Sequence, residues 1–222
     1  MSQIIHSLFS LIWFVCGTKP RPNALKSADV LPLPKISNPK SVDGDLRPIS
    51  LTPVLSKLLE GFVFRWLLNH IKSSIDHLQF GNIKNCSTTH ALIHLTHHWL
   101  TELDNPGSII RCCMIDFSKA FDRIDHNILI YKLQLLNTPP ILLNWCADFL
   151  HDRYLSVKLG QHKSSWRSIH AGVPQGTKLG PLFFLVSLKS CVYPSLKTPW
   201  HLTTFLPLTP VLKLYTILNS WV

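Results

Sequence analysis

Two stretches of the chain concentrate residues that can do chemistry. The first, Cys113-Met114-Ile115-Asp116-Phe117-Ser118-Lys119-Ala120-Phe121-Asp122, places a carboxylate at the end of an apolar run. A carboxylate there is costly to ionise unless a cation or a hydrogen-bond donor meets it. By spacing alone, Asp116 is either a metal ligand or the cap of the turn that follows. The second stretch is Ala171-Gly172-Val173-Pro174-Gln175-Gly176. Two glycines let a ligand approach the backbone closely, and the Gln175 amide can donate and accept at once. Taken alone, the same residues describe an ordinary turn. A third candidate is the set His90, His94, His97 and His98, which share one side of a helical period. No carboxylate or cysteine completes a metal set there, so a solvated or phosphate-facing polar stripe is the preferred reading.

The elements that must carry these residues follow from period and punctuation. Residues 17–50 hold Pro20, Pro22, Pro32, Pro34, Pro39 and Pro48, which forbid a long helix and favour extended segments. Val30 to Pro34 is predicted to be a short edge strand. Thr52 can cap a helix with Pro53 at its first position, and Val54, Leu55, Leu58, Leu59, Phe62 and Trp66 form its apolar stripe, ending near His70. Ser87 starts a second helix, with Ala91, Leu92, Leu95 and Trp99 on its apolar side. Ile109 to Asp116 is a strand candidate. Helices follow from about Asp125 to Leu136 and from Ile141 to Leu150. Tyr154–Leu159 and Ser165–His170 read as a hairpin around Gly160, and Pro181 opens a short apolar helix.

Composition bounds the function. The chain has 222 residues, 46% of them hydrophobic, which suits one domain or two small ones with a real core and excludes global disorder. Charged residues are only 15%, yet 22 Lys and Arg face 12 Asp and Glu, a net charge of +10. Such a balance suits a polyanion, with nucleic acid the first choice. The six cysteines form no C-x-x-C pair, and their scatter suggests a reducing, intracellular setting. Ile4 to Cys16 is apolar but too short to span a bilayer. No Lys or Arg precedes it and no signal-cleavage pattern follows, so no membrane role is expected.

In order and spacing these blocks resemble the reverse transcriptase domain of LINE-type non-LTR retrotransposons, over about Pro22 to Val186. The resemblance rests on Ala28-Asp29-Val30-Leu31-Pro32-Leu33-Pro34-Lys35, Asp45-Leu46-Arg47-Pro48-Ile49-Ser50-Leu51, and Gln79-Phe80-Gly81 leading into Cys86-Ser87-Thr88-Thr89. It continues with Asp116–Asp122 followed by Asp125-His126, then Gly172–Gly176 running into Leu179-Gly180-Pro181-Leu182. It implies an α+β fold, the fingers and partial palm of a right-hand polymerase without its thumb. It implies that Asp116 and the Phe117 carbonyl hold Mg²⁺, and that Phe121 is a steric gate against a ribose 2′-hydroxyl. Arg47 would clamp the incoming triphosphate, while Gln175 and Gly176 would line the nucleotide and template pocket. Asp122 and Asp125 are expected to cap and orient the next helix. The partners implied are an RNA template, a DNA primer and deoxynucleoside triphosphates, and a nuclear location follows from where such elements integrate. Arg153, Lys158, Lys163 and Arg167 are basic positions of the hairpin expected to meet nucleic acid.

The chain departs from the family at one place. The third palm motif, Tyr-x-Asp-Asp, carries the second metal-binding carboxylate, yet the 70 residues from Arg153 to Val222 hold no Asp or Glu. Thr198-Pro199-Trp200 still matches what precedes that motif in related elements. The chain is therefore divided into an N-terminal segment 1–21, fingers and partial palm over 22–190, and a divergent tail 191–222 consistent with a shifted reading frame or a mis-called splice junction. The functional expectation is a reverse transcriptase domain inactive as this fragment. The alternatives are a non-catalytic, basic nucleic-acid-binding remnant and a decayed product that does not fold stably.

Overall fold

A computed structural model describes residues 22–110, 112 and 119–188. Cys113 to Ser118, which include Asp116 and Phe117, lie outside the described residues, as do 1–21 and 189–222. So do most of the expected strand Ile109–Asp116 and the whole divergent tail. The described residues divide into two units, 22–74 with 120–188, and 75–110 with 112 and 119.

The first unit is a mixed α/β assembly on a partial sheet. A single turn α1 (Asn23–Lys26) leads into β1 (Ser27–Pro34), and a turn α2 (Val42–Asp45) into β2 (Leu46–Leu51). β3 (Arg153–Leu159), β4 (His162–Lys163) and β5 (Arg167–Ile169) complete five strands. Asp29–Pro34 of β1 pair antiparallel with β2, while only Ser27–Val30 pair with β3, and that pairing is parallel. The edge expectation for β1 thus holds only at its proline-bearing end. Pro32 faces Pro48 across a single ladder, where the missing N–H groups leave no second neighbour short of a donor.

The helices pack as a layer around one almost entirely apolar element. They are α3 (Val54–Ile71), α5 (His126–Leu135), α6 (Pro140–Leu150) and α7 (Leu179–Leu188). α7 buries Leu179, Leu182, Phe183, Phe184, Leu185 and Val186, and a helix apolar all round belongs at the centre of a core. Leu129 and Leu133 of α5 and Cys146, Phe149 and Leu150 of α6 are buried too. The Lys132 ammonium donates to the Ser187 carbonyl, tying the end of α5 to that of α7. No helix among the described residues is long and apolar enough to cross a membrane.

The α3 stripe is a correction. Its buried side is Ser56, Leu59, Glu60, Val63, Leu67 and Ile71, while Val54 is 75% exposed and Leu55, Leu58 and Trp66 are exposed too. The helix is apolar on both sides, so hydrophobic period alone could not choose between them. Nor does Thr52 cap it: the N-cap is Pro53, and the buried Thr52 hydroxyl has no hydrogen-bond partner among the described residues.

The second unit is described by α4 (Thr88–Leu103). Ser87 caps it through a reciprocal box, its hydroxyl accepting from the His90 N–H while His90 Nδ1 accepts from the Ser87 N–H at 3.1 Å. His94 and His98 stack with ring centroids 6.5 Å apart, and His98 lies 3.9 Å from Glu102. Of the expected apolar side only Leu95 is buried, and Leu92 is exposed.

Candidate active site

The first unit folds three distant segments onto one loop. β2 ends beside Gly172–Gly176: the Ser50 N–H donates to the Gln175 carbonyl at 2.8 Å. The segment between Phe121 and His126 lies along the start of the same loop. The Gly172 N–H donates to the Ile124 carbonyl at 2.8 Å, and the Val173 N–H to the Phe121 carbonyl at 2.9 Å. The Gln175 amide reaches back to donate to Asp122 Oδ1 at 3.2 Å. Gln175, Gly176, Phe121 and Asp122, far apart in the chain, are thereby neighbours.

Both glycines are required by geometry. Gly172 has φ +79°, and a Cβ there would lie 2.7 Å from the Asp122 carbonyl oxygen. Gly176 has φ +97°, with the Ser50 carbonyl oxygen 3.3 Å from where its Cβ would be. The first glycine lets two backbones touch. The second is exposed and open to close approach.

His126 fastens the loop from below. It is buried at the start of α5, and its Nε2 meets the Gly172 carbonyl at 2.7 Å, which assigns the proton to Nε2 in the neutral ring. Burial holds its pKa below the ordinary value. The His151 ring, edge-on at 5.7 Å, and His170 add to the lowering, whereas the Gly172 carbonyl and Asp125 oppose it. A lowered histidine pKa means the unfolded chain takes up more protons. The stability His126 contributes is therefore complete above about pH 6.5 and is lost as pH falls through its folded value. The thermal midpoint should drop more steeply below pH 6.5 in the wild type than in His126→Gln, as measured by circular dichroism melts across that range. Parallel slopes would count against this role.

The far side of the loop is clamped by α3. Glu60 is fully buried, and its Oε2 accepts from the Lys178 N–H at 3.1 Å. Thr177 closes the turn, its hydroxyl donating to the Pro174 carbonyl at 2.8 Å and accepting from the Gly180 N–H at 3.2 Å at the start of α7. Phe121 packs against Phe184 of α7 with centroids 5.1 Å apart, so the gate candidate has a rigid backing. Asp125 does cap α5, its side chain accepting from the Ile128 N–H at 3.0 Å, whereas Asp122 is turned towards Gln175 instead.

Arg47 is half-buried on β2 opposite Leu33, and its guanidinium carries no ion pair or side-chain hydrogen bond among the described residues. Among these residues no three His, Cys, Asp or Glu side chains are placed to hold a metal ion. The expected ligands, Asp116 and the Phe117 carbonyl, fall outside them.

Of the four hairpin cations, Arg153 is a correction. It is 0% exposed, its Nη1 donates to the Phe149 carbonyl at 3.1 Å, and its guanidinium lies 4.6 Å from the Phe149 ring centroid. It is the first residue of β3, directly after α6, and the sheet-to-helix junction covers it. Arg153 is a core residue and is unavailable to a nucleic acid. Lys158, Lys163 and Arg167 are exposed.

The model of the reverse transcriptase (RNA-dependent DNA polymerase) family matches residues 34–202, which contain all three segments. The chain belongs to that family. It is similar to the RNA-directed DNA polymerase from mobile element jockey of Drosophila melanogaster, 34% identical over 168 residues, covering 74% of this chain and 18% of that protein. The probable RNA-directed DNA polymerase from transposon BS of the same species is 36% identical over 169 residues, with the same coverages. That from transposon X-element is 28% identical over 153 residues, 68% of this chain and 16% of that protein. The chain thus spans about a fifth of the length of these curated relatives. It is a reverse transcriptase domain of the LINE-type retrotransposon class, as its motifs implied.

Glu60 and Phe184 carried no expected role, and His126 entered only as part of the block Asp125-His126. Glu60 had a signal: it is a lone acid inside the apolar run Leu58-Leu59-Glu60-Gly61-Phe62, where an ionisable group needs a dedicated partner. His126 and Phe184 look like ordinary helix residues until the loop is laid beside them.

Proposed function

We propose that this domain forms the nucleotide pocket of an RNA-directed DNA polymerase, built from the fingers and part of the palm of a right-hand fold. The observation that carries the reading is the convergence of Ser50, Phe121–Asp122 and Gly172–Gly176 on one loop. In this reading Phe121, backed by Phe184, bars a ribose 2′-hydroxyl by a clash that a deoxyribose escapes. Gln175 is held by Asp122 so that its amide has a fixed direction, with Gly176 open for close approach of nucleotide or template. Arg47 offers an unengaged guanidinium to the triphosphate. Asp116 and the Phe117 carbonyl would hold Mg²⁺, which when bound supplies activation of the primer 3′-hydroxyl and support for the leaving group. The partners are an RNA template, a DNA primer and deoxynucleoside triphosphates, and the location is nuclear.

The absence of any acid after Asp152 favours a second reading beside the first, a nucleic-acid-binding domain without catalysis. The family match runs over residues 34–202, past the expected boundary at 190 and just beyond Trp200. Both readings require binding to template–primer through Lys158, Lys163 and Arg167. Bound lysines and arginines release counterions, so log affinity should fall linearly with log salt. The double variant Lys158→Ala/Arg167→Ala should lower that slope by about 0.7–0.9 for each contact removed. Fluorescence anisotropy over a salt series measures both quantities. Affinity indifferent to salt would remove the electrostatic mode and both readings with it.

A further inference from the structure

Beyond the pocket, the face of the β3–β4–β5 hairpin sets an exposed aromatic side chain, to which the polymerase reading gives no role, among the hairpin cations. Trp166 is 47% exposed, just before β5. The Lys163 ammonium sits 4.4 Å from its ring centroid and is held there by Asp29 at 2.7 Å. Asp29 lies on β1 in register with Ser156 of β3, so a neighbouring strand fixes the lysine and the lysine fixes the indole. One side of the ring is covered by a cation, while nearly half of the residue's surface stays open to solvent. Tyr154, four residues before Lys158 on β3 and so on the same strand face, is also exposed.

The charges point to the occupant. Lys158 and Lys163 are directly opposite each other across the β3–β4 ladder. Like charges in that position destabilise a hairpin. Asp29 compensates Lys163, but Lys158 has no ion pair among the described residues. An anion beside Lys158 would relieve the repulsion. An open indole next to an uncompensated lysine is the combination that takes a base and its phosphate together.

We propose that Trp166 is a stacking platform for an unpaired base of single-stranded nucleic acid, with Lys158 meeting the adjacent phosphate and the Lys163–Asp29 pair positioning the ring. The inference rests on the reading that this domain binds nucleic acid, and adds to it a residue and a strand form. A duplex has no free base face to offer, so the platform discriminates in favour of single strands.

The test is fluorescence anisotropy with labelled short oligo(rU), a strand of the same length made wholly of abasic nucleotides, and a duplex. The variants are Trp166→Ala, Trp166→Leu and Trp166→Phe. Trp166→Ala and Trp166→Leu should weaken oligo(rU) binding at least roughly fivefold, leave the abasic strand and the duplex unchanged, and keep the wild-type melting curve. Trp166→Phe, which retains an aromatic face, should keep most of the affinity. The leucine variant preserves apolar bulk if alanine loosens the hairpin. Oligo(rU) affinity unchanged by Trp166→Leu overturns the proposal, as does an equal loss on oligo(rU) and the abasic strand. In either case salt-dependent binding by the wild type would leave the nucleic-acid reading standing. A wild-type chain that binds none of the three probes removes that reading and the platform together.

Discussion

The 222-residue chain should not extend a primer on poly(rA) with either Mg²⁺ or Mn²⁺. The two-metal arrangement needs carboxylates from two segments, because two divalent ions held close together repel one another strongly. In the proposed reading Asp116 would supply one carboxylate. The other would be expected after α7, where residues 189–222 contain no Asp or Glu. Asp122 is no substitute, since it accepts from Gln175 at the loop, and Asp125 is spent on capping α5. Losing a principal ligand costs several kcal/mol of transition-state stabilisation, a rate loss of roughly a thousandfold or more. The measurement is a gel-based extension assay with Asp116→Ala as the baseline. Extension above that baseline would mean that the second carboxylate comes from elsewhere in the protein and that the non-catalytic reading is wrong. Extension indistinguishable from it, together with salt-dependent binding, separates family membership from activity in this chain.

The second large effect is at Gly172. Alanine there must accept φ +79°, and its methyl would press into the Asp122 backbone at 2.7 Å from the carbonyl oxygen and 2.8 Å from the Cα. Neither atom belongs to a flexible side chain, so relief requires the loop to leave the Phe121–His126 segment. Strain and overpacking together predict a loss of about 2–4 kcal/mol. The hydrogen bonds from Gly172 to Ile124, from Val173 to Phe121 and from His126 to Gly172 would go with it. Thermal denaturation should register the loss, and hydrogen exchange at Val173 should accelerate selectively. Gly160 serves as the control: its φ is +58°, but no atom lies within 4 Å of its Cβ position, so Gly160→Ala should cost only the conformational strain, about 1 kcal/mol. Equal effects at the two glycines would refute the close-approach argument.

Much of this protein was legible without coordinates, and the reason is local. The capping serine at Ser87, the Asp125 cap, Pro139 and Pro140 at the start of α6 and the turn at Gly160 act through the nearest few residues, so they can be read in sequence order. The family followed in the same way, from ordered short blocks. The tertiary structure decided what depends on partners far along the chain. It turned α3 so that Ser56 and Glu60 face inward, because Glu60 meets the Lys178 N–H 118 residues later and the helix was apolar on both sides. It took Arg153 out of the basic surface, because a guanidinium at the α6–β3 junction gains more from the Phe149 ring and carbonyl than period or charge could reveal. It made Gly172 a contact between two backbones rather than a flexible turn, and His126 the group beneath it. Residue type and spacing determine which groups are available and which elements carry them. Only the packing of those elements determines which side of a helix is buried and which distant carbonyl a histidine meets, since both are set by the partner's shape.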